Sequence, residues 1–349
     1  MTRSRQLLAV IALAGAAFTT QAAPYLSLIV FGDSLSDPGN AATLTATANG
    51  PFFPPAPYPG TFSNGPTAAQ YLATIYGAPV VPGWPNASGA TNFAVGGALT
   101  GAGNYNFLVN SPPGLVGFPQ LQNTGIAQQI ARYNPASLDP ARTLFLLFGG
   151  PNDFFYGLAQ LQSGLPVDFA ALTQAAVSNL SGDIGALAAV GAKNILVPNM
   201  PDLGLLPDAV NAGAVAQATL TALTNVFNAG LDTAIDLNRA TFAPSGVNLY
   251  EFDTAQFLRD AVSSPPAGIT NTTSSCLSGG AAALASNCAG YLFFDGVHPT
   301  TFAHQLLAQQ FALAATALEV PEPRTWALVV TAMLLLGVRS RKRTCQIPL

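Results

Sequence analysis

The chain has 349 residues, half of which are apolar, and a formal net charge of −4 at pH 7. Between residues 24 and 318 there are five basic and 14 acidic side chains, which give this part of the chain a formal charge of −9. Nucleic-acid phosphates are bound through basic side chains, so this composition excludes a nucleic-acid partner. About 295 residues are enough for one large core, and we expect a single α/β domain over residues 24–318.

The first 23 residues form a pattern of their own. Two arginines precede an apolar stretch over residues 7–18, and a small-residue segment over residues 20–23 follows it and ends in Ala22 and Ala23. This pattern is typical of a secretory signal peptide, because the apolar stretch is too short for a membrane-spanning helix. We therefore expect export, with removal of residues 1–23 by a signal peptidase.

The first predicted element after this leader is a strand over residues 25–30, an apolar run with β-branched residues. Gly32 ends the strand, and Ser34 follows it directly. Open α/β sheets place their chemistry at the carboxyl ends of strands, which makes Ser34 a candidate nucleophile. Glycine, aspartate and serine are also ordinary turn residues, so this stretch alone leaves a plain strand-to-loop turn open.

Predicted strands and helices alternate along the rest of the chain. Strands are predicted over residues 79–81, 143–148, 194–198 and 247–252, and another short apolar run ends at Gly96 and Gly97. Helices are predicted over residues 67–76, 122–133, 169–190, 208–240 and 301–318. This alternation indicates a parallel sheet covered by helices on both faces.

Two of the three cysteines lie close together. Cys276 and Cys288 flank a segment rich in serine, glycine and alanine, and Cys345 lies near the C-terminus. In an exported protein we expect Cys276 and Cys288 to form a disulfide, with two free buried thiols as the alternative. The sequence has neither a Cys-x-x-Cys motif nor a histidine cluster, and we expect no metal site.

The sequence contains only two histidines, which narrows the choice of a general base. Asp295 precedes His298 by three residues, so one turn can bring its carboxylate to Nδ1 of the imidazole. Nε2 would then be free to accept the proton of Ser34, as nucleophilic acyl transfer requires. His304 lies on an amphipathic predicted helix, where we expect a packed or solvated side chain.

Acyl transfer also needs hydrogen-bond donors for the oxyanion of its tetrahedral intermediate. Loops after three predicted strands offer the amide of Ser34, the amide of Gly97 and the side chain of Asn152. A glycine in such a loop can equally form a turn, and Asn152 can equally cap a helix, so each is weak evidence alone. Together with a serine and an Asp-x-x-His motif, they favour an active site.

Four blocks of the sequence resemble the GDSL esterase/lipase family, also called the SGNH hydrolases. They read Phe-Gly-Asp-Ser-Leu-Ser-Asp at 31–37, Asn-Phe-Ala-Val-Gly-Gly-Ala at 92–98, Gly-Pro-Asn-Asp at 150–153 and Asp-Gly-Val-His-Pro-Thr at 295–300. Shorter matches at 62–65, 197–204 and 227–228 resemble the plant-lipase-like branch of the family.

This resemblance implies a fold and a site. The fold is a three-layer α/β/α, flavodoxin-like sandwich with a parallel sheet of five strands; the Gly-x-Ser-x-Gly motif of the α/β-hydrolase fold is missing. The implied site needs no cofactor. Its triad consists of Ser34, Asp295 and His298. Its oxyanion hole is formed by Ser34, Gly97 and Asn152. Because Gly96 adjoins Gly97, the sequence leaves open which of the two supplies the amide.

Residues 319–349 carry a second targeting pattern. Pro-Glu-Pro at 321–323 is followed by an apolar run over 326–338 and a basic cluster over 339–343. The run is short for a bilayer span and a packed C-terminal helix is the alternative, but a basic cluster after an apolar run favours a cytoplasmic stop. The tail resembles the PEP-CTERM sorting signal of Gram-negative bacteria. That resemblance implies transient insertion in the inner membrane, cleavage by an exosortase-type enzyme, and a periplasmic, cell-surface or extracellular protein.

The expected function is that of a secreted serine esterase or lipase, which hydrolyses carboxylic esters through an acyl-enzyme. Its substrate would be a lipid, a small ester or an acetylated polysaccharide. Among enzymes, an exopolysaccharide O-acetylesterase is the alternative, since a surface-sorted protein meets that polymer first. A non-catalytic surface-binding module is the alternative from another class, and the complete set of Ser34, Asn152, Asp295 and His298 argues against it.

Overall fold

The computed structural model describes residues 24–46, 54–109, 118–135 and 138–316. The predicted signal peptide at 1–23 and the predicted sorting tail at 319–349 lie outside these residues. Of the helices in the described ranges, none is both long enough and apolar enough to cross a membrane.

Strands of the described residues form two sheets. They are β1 (Ser27–Gly32), β2 (Thr143–Phe148), β3 (Asn194–Pro198), β4 (Asn248–Phe252), β5 (Ile269–Ser275) and β6 (Gly290–Phe293). The first four form a parallel main sheet in the order β1-β2-β3-β4, and β5 and β6 form a separate, irregular parallel pair. Every residue of β2 and β3 is buried, which is why these central strands read as continuous apolar runs.

Helices surround the main sheet. In the described ranges they are α1 (Asn40–Thr45), α2 (Ala68–Tyr76), α3 (Tyr105–Leu108), α4 (Ile126–Arg132), α5 (Pro151–Gln162), α6 (Phe169–Ala189), α7 (Pro207–Ala212), α8 (Ala214–Phe242), α9 (Thr254–Ser263), α10 (Gly280–Ala285) and α11 (Thr301–Ala314).

Both faces of the main sheet carry apolar side chains, because successive residues of a strand point to opposite faces. On one face, Ile29 and Phe31 of β1 belong to a buried cluster that includes residues of α4, α6 and α8. On the other face, Leu28 and Val30 belong to a cluster that includes residues of α2 and α11. Helices thus cover both faces, and the predicted three-layer α/β/α fold is confirmed.

A fifth segment, over residues 91–95, extends the main sheet beside β1. Hydrogen bonds with parallel spacing join the two, from the Val30 amide to the Thr91 carbonyl, from the Phe93 amide to the Val30 carbonyl and from the Val95 amide to the Gly32 carbonyl. The segment makes an isolated bridge, so the regular sheet has four strands and its fifth position is irregular. Counting this segment as second in the chain gives the flavodoxin-like order, whose switch point lies between β1 and β2.

Two predicted elements differ in the structure. Residues 79–81 form no strand, because Pro79 opens this stretch and Pro82 follows it, and neither proline can donate to a ladder. The Val81 carbonyl accepts instead from the Thr91 and Asn92 amides. The single helix predicted over 208–240 is two helices, α7 and α8, because Gly213 between them has a φ of 95°.

A small disulfide-bonded unit follows the main sheet, in a region where no strand or helix was predicted from the sequence. It contains β5, α10 and β6, and the structure joins Cys276 and Cys288 in a disulfide. Both cysteines are buried, and they pack with Phe294, which directly precedes the last sequence block. The unit therefore holds the chain just before Asp295.

Candidate active site

Ser34 lies in the tight turn that follows β1. The Ser36 amide donates to the carbonyl of Asp33, and the Leu35 amide donates to the Asp33 carboxylate at 3.0 Å. These bonds close the turn, and Ser34 lies on the wall of a cavity at the carboxyl end of the main sheet.

Asp295 closes the turn that contains His298. Its Oδ1 accepts hydrogen bonds from the amides of Val297 at 2.8 Å and His298 at 2.7 Å. The other oxygen, Oδ2, faces the imidazole and lies 2.7 Å from Nδ1 of His298. This turn follows β6 and precedes α11, so it reaches the site from outside the main sheet.

The loop after β1 and the turn after β6 meet at two reactive atoms. Nε2 of His298 lies 2.8 Å from Oγ of Ser34. The structure thus brings Ser34, His298 and Asp295 together in one hydrogen-bonded chain, in which the imidazole is placed to accept the serine proton. The ring of Phe62 packs beside the imidazole, with 5.4 Å between the ring centroids.

Opposite charges set the protonation of this chain. Burial alone would raise the pKa of Asp295, but the charge and hydrogen bond of His298, with smaller effects of the Val297 amide and the Tyr58 hydroxyl, lower it to about 2. Burial alone would lower the pKa of His298, but the Asp295 carboxylate raises it above its usual value. An ionised Asp295 therefore stabilises the imidazolium that forms when His298 takes a proton.

Two backbone amides near Ser34 are available to an oxyanion. Among the described residues, the amides of Ser34 and Gly97 donate to no acceptor of the protein, whereas the Gly96 amide donates to Asp37 Oδ2 at 2.8 Å. Gly97 has a φ of 83°, and a Cβ at this position would lie 2.2 Å from Asn106 Nδ2. The position therefore requires glycine, and Gly97 rather than Gly96 has the free amide.

Asn152 lies in the first turn of α5, directly after β2, and its side chain does not cap that helix. Its Nδ2 donates to the Ala98 carbonyl at 3.1 Å and to Oδ2 of Asp33 at 3.3 Å. Burial raises the pKa of Asp33 to about 7, against the opposing effect of the Leu35 amide. These contacts hold the Asn152 amide on the cavity wall that also carries Ser34.

The second histidine lies outside the site. His304 is buried on α11, and its Nδ1 accepts a hydrogen bond from the Ala68 amide at 3.2 Å. Burial, with a smaller effect of the His298 charge, lowers the pKa of His304 to about 3. His304 is therefore a neutral side chain that joins α11 to α2.

The reactive atoms open onto a cavity of about 730 Å³. Ser34, Gly97, Asn152 and His298 lie on its wall, and much of the remaining wall is apolar. The apolar part comes from α5, α7 and α8 and includes Phe155, Leu158, Ala209, Ala212, Ala216 and Leu220. Across the described ranges, no group of three or more His, Cys, Asp or Glu side chains is arranged to hold a metal ion.

The four blocks that build this site occur together in a known family. The family model described as GDSL-like Lipase/Acylhydrolase matches residues 28–311, which is most of the chain. The chain belongs to this family. It is accordingly an esterase/lipase-type hydrolase of carboxylic esters.

Three relatives show the extent of the likeness. An uncharacterized protein from the trpE–trpG intergenic region of Pseudomonas putida is 31% identical over 336 residues, which cover 87% of this chain and 51% of that protein. GDSL esterase/lipase 7 of Arabidopsis thaliana is 28% identical, with 81% and 86% covered. Phosphatidylcholine-sterol acyltransferase of Aeromonas hydrophila is 28% identical, with 87% and 94% covered. The hydrolase thus spans about half the length of the first relative and most of the other two.

Residues of the blocks that do not face the cavity connect the loops of the hydrolase. The Asp37 carboxylate accepts from the Gly39 amide of its own loop and from the Gly96 amide, which joins the first block to the second. The Asp153 carboxylate accepts from the amide and the hydroxyl of Thr100, which joins the third block to the loop after the second. These bonds fix the positions of the loops that carry the site.

Three side chains near the triad were not predicted from the sequence of this hydrolase. The Tyr58 hydroxyl donates to Asp295 Oδ2 at 2.7 Å. Asp208 lies against Gly296, since a Cβ on that glycine would lie 2.0 Å from Asp208 Oδ1. Asp33 adjoins the nucleophile in the first block, which was a usable signal. Tyr58 lies in a proline-rich loop and Asp208 at a helix start, where nothing local marks them.

Proposed function

We propose that this hydrolase cleaves carboxylic esters with Ser34 as the nucleophile, His298 as the general base and Asp295 as the ionised carboxylate that orients His298 and stabilises its imidazolium form. The observation that carries this proposal is the unbroken contact from Ser34 Oγ to His298 Nε2 and from His298 Nδ1 to Asp295 Oδ2. A non-catalytic binding module would have no need of this alignment, so the surface-binding alternative is not favoured.

The reaction has two halves. Ser34 Oγ attacks the ester carbonyl while its proton passes to His298 Nε2, and His298 then returns that proton to the leaving alcohol. The amides of Ser34 and Gly97 donate to the oxyanion of each tetrahedral intermediate. The Asn152 side chain does so by exchanging its 3.3 Å hydrogen bond to Asp33 for one to the oxyanion. A water molecule, activated by His298 in the same way, then cleaves the acyl-enzyme and releases the carboxylic acid.

The cavity favours an apolar acyl group as the substrate portion held near Ser34. Its walls from α5, α7 and α8 carry alanine, leucine and phenylalanine, and a volume of about 730 Å³ far exceeds the needs of an acetyl group. Burial of each methylene of an acyl chain contributes about 0.8 kcal/mol. We therefore favour lipid-like esters over acetylated exopolysaccharide.

A chain-length series tests the substrate class. With p-nitrophenyl esters from C2 to C16 and an acetylated polysaccharide alongside, kcat/KM should rise beyond C4, and the polysaccharide should release little acetate. Ala216→Trp narrows the apolar wall and should lower kcat/KM for long chains more than for C2. Ala218→Trp is the matched control, because Ala218 is exposed on α8 and lies outside the cavity lining. A preference for C2 and rapid polysaccharide deacetylation would favour the O-acetylesterase instead.

The nucleophile has a direct test. An organophosphonate probe should label the wild-type protein at Ser34, and Ser34→Ala should lose both the label and the hydrolysis of esters. The variant should keep the far-UV circular dichroism spectrum of the wild-type protein, and its free energy of unfolding should stay within about 1 kcal/mol of the wild-type value. Labelling at a different serine would refute the assignment.

We also propose that the hydrolase is exported and sorted at the surface of a Gram-negative cell. The signal-peptide pattern at 1–23 and the PEP-CTERM-like tail at 319–349 support this, and the blocks at 62–65 and 197–204 support a place in the plant-lipase-like branch. Mass spectrometry of the exported protein should find a start after residue 22 or 23 and no peptide beyond residue 323. Detection of Cys345 in that material would contradict the sorting proposal.

A further inference from the structure

Tyr58 links the proline-rich loop over residues 54–60 to the triad. Its amide donates to the Pro55 carbonyl in a turn, and its half-buried ring packs edge-on against Phe294, with 5.1 Å between the ring centroids. The ring is held so that its hydroxyl lies 2.7 Å from Oδ2 of Asp295. Tyr58 also lines the cavity, as Pro54 and Pro55 do.

The Asp295 carboxylate accepts four hydrogen bonds, of which the one from Tyr58 differs from the others. Oδ1 accepts from the amides of Val297 and His298, and Oδ2 accepts from His298 Nδ1 and from the Tyr58 hydroxyl. Three of these four donors belong to the same turn as Asp295. Tyr58 alone is remote in sequence, at a separation of 237 residues. It is therefore the donor that holds the carboxylate relative to the rest of the domain.

We propose that Tyr58 is a positioning residue of the esterase reaction, which fixes the Asp295 carboxylate against His298 and shares the negative charge of Oδ2 with the imidazole. This inference rests on the proposed triad. Tyr58 touches neither reacting atom of the triad, and it acts through Asp295. Two consequences follow, one for the orientation of His298 and one for its basicity.

Removal of the hydroxyl leaves Oδ2 with one donor fewer. The carboxylate then concentrates more negative charge on its bond to His298 Nδ1, which favours the imidazolium and raises the pKa of His298 further. The other titratable groups whose charges act on His298 are Asp33 and Asp208, and His304 senses its charge in turn. None of these three hydrogen-bonds to Tyr58, so its replacement leaves them in place.

Tyr58→Phe isolates the hydroxyl, since the ring and its contact with Phe294 remain. At the pH optimum we expect kcat to fall about 10-fold with KM nearly unchanged, a loss typical of groups that orient a catalytic side chain. The acid limb of the pH profile should move to higher pH. Tyr71→Phe is the matched control, because the Tyr71 hydroxyl makes a similar hydrogen bond of 2.9 Å to Thr301 between α2 and α11. That control should change neither the limb nor kcat.

The chain offers a readout that does not depend on activity. Its two histidines can be titrated separately by NMR, and the His298 resonance of Tyr58→Phe should titrate at higher pH than that of the wild-type protein while His304 is unchanged. If the wild-type protein hydrolyses no ester but this shift is present, the proposed function fails, while the effect of Tyr58 on the Asp295–His298 pair stands. If Tyr58→Phe changes neither the pH at which His298 titrates nor the acid limb of the pH–activity profile, the role of Tyr58 is refuted.

A double-mutant cycle separates action through Asp295 from an independent effect. In an Asp295→Ala background, Tyr58→Phe should lower the residual kcat less than twofold, because the acceptor of its hydrogen bond is gone. A full 10-fold loss in that background, or a rise of KM with unchanged kcat in the single variant, would show that Tyr58 contacts the substrate instead and would refute the positioning role.

Discussion

Ser34 and His298 are separated by 264 residues in sequence, and Oγ of the first lies 2.8 Å from Nε2 of the second. The serine comes from the carboxyl end of β1, the strand beside the switch point of the main sheet. The histidine comes from a turn after β6, outside that sheet. The contact therefore requires the whole domain to be folded.

The two histidines should differ sharply when each is replaced. His298→Ala removes the proposed base and should lower kcat as much as Ser34→Ala does, because the serine hydroxyl then keeps its proton. His304→Ala should instead reduce stability by about 1–3 kcal/mol, since it leaves the Ala68 amide without its acceptor, and should keep most of the activity per folded molecule. Active-site titration and urea unfolding of both variants measure the two effects. The reverse order of activity loss would assign the base to His304.

Asn152 tests the oxyanion hole. If its amide donates more strongly to the transition state than to bound substrate, Asn152→Ala should lower kcat by about 100- to 1000-fold with KM nearly unchanged. Asn238→Ala is the matched control, since the buried Asn238 amide likewise donates to one side chain, Ser181, and one carbonyl, Ala234, far from the cavity. The control should lose stability but not kcat. A destabilised Asn152→Ala variant with near-normal kcat would remove Asn152 from the site.

Burial of Asp183 should make the free energy of unfolding depend on pH. It is buried on α6, its Oδ2 has no hydrogen-bond partner among the described residues, and burial raises the pKa of Asp183 from 3.8 to about 7. The folded state therefore keeps a proton that the unfolded state releases between pH 4 and pH 7. The stability that this proton contributes is complete below pH 4 and is lost as the pH rises through 7.

Asp183→Asn should consequently stabilise the fold at pH 8 by up to about 4 kcal/mol and change little at pH 4. Urea unfolding at the two pH values measures this difference. Asp260→Asn, a change of an exposed carboxylate on α9, serves as the control and should shift neither midpoint. Equal effects of Asp183→Asn at both pH values would show that folding does not raise the pKa of Asp183.

The disulfide should contribute mainly to stability. Cys276 and Cys288 enclose a short loop, and on the chain-entropy model its closure is worth about 3 kcal/mol. The double change of both cysteines to alanine should lower the free energy of unfolding by about that amount and reduce kcat much less. A non-reducing peptide map of the protein purified without reductant should show the linked pair. Two free thiols in that material would contradict the prediction.

The regular part of the fold was readable from local sequence, and the reason is burial on both faces. The strand predictions at 143–148 and 194–198 coincide with β2 and β3, because central parallel strands are continuous apolar runs. The polar strand β5 was not predicted, because its residues are mostly half-buried or exposed and its pairing with β6 is irregular. Where the chain lies at an edge, local patterning carries little information about pairing.

The site was predictable to the extent that its residues recur in short blocks. Ser34, Asn152 and the Asp-x-x-His turn could be named from sequence, since each block carries its own spacing. The contact of Tyr58 with Asp295 could not, because it joins two segments that are 237 residues apart and no motif marks the tyrosine. The choice between Gly96 and Gly97 likewise needed the structure, which shows the Gly96 amide bonded to Asp37.

The separate origin of the nucleophile and the base has a consequence for how the enzyme inactivates. Ser34 and Asn152 follow strands of the main sheet, whereas Asp295 and His298 follow the small disulfide-bonded unit with β5 and β6. Proteins open in cooperative units of unequal stability, and a two-stranded pair is only marginally stable on its own, so we expect this unit to open before the main sheet. Activity should then disappear, reversibly and before any loss of the main helices, whenever this unit detaches. Reducing agents should hasten that loss in hydrogen-exchange and activity measurements run in parallel, with the amides of β6 exchanging ahead of those of β2.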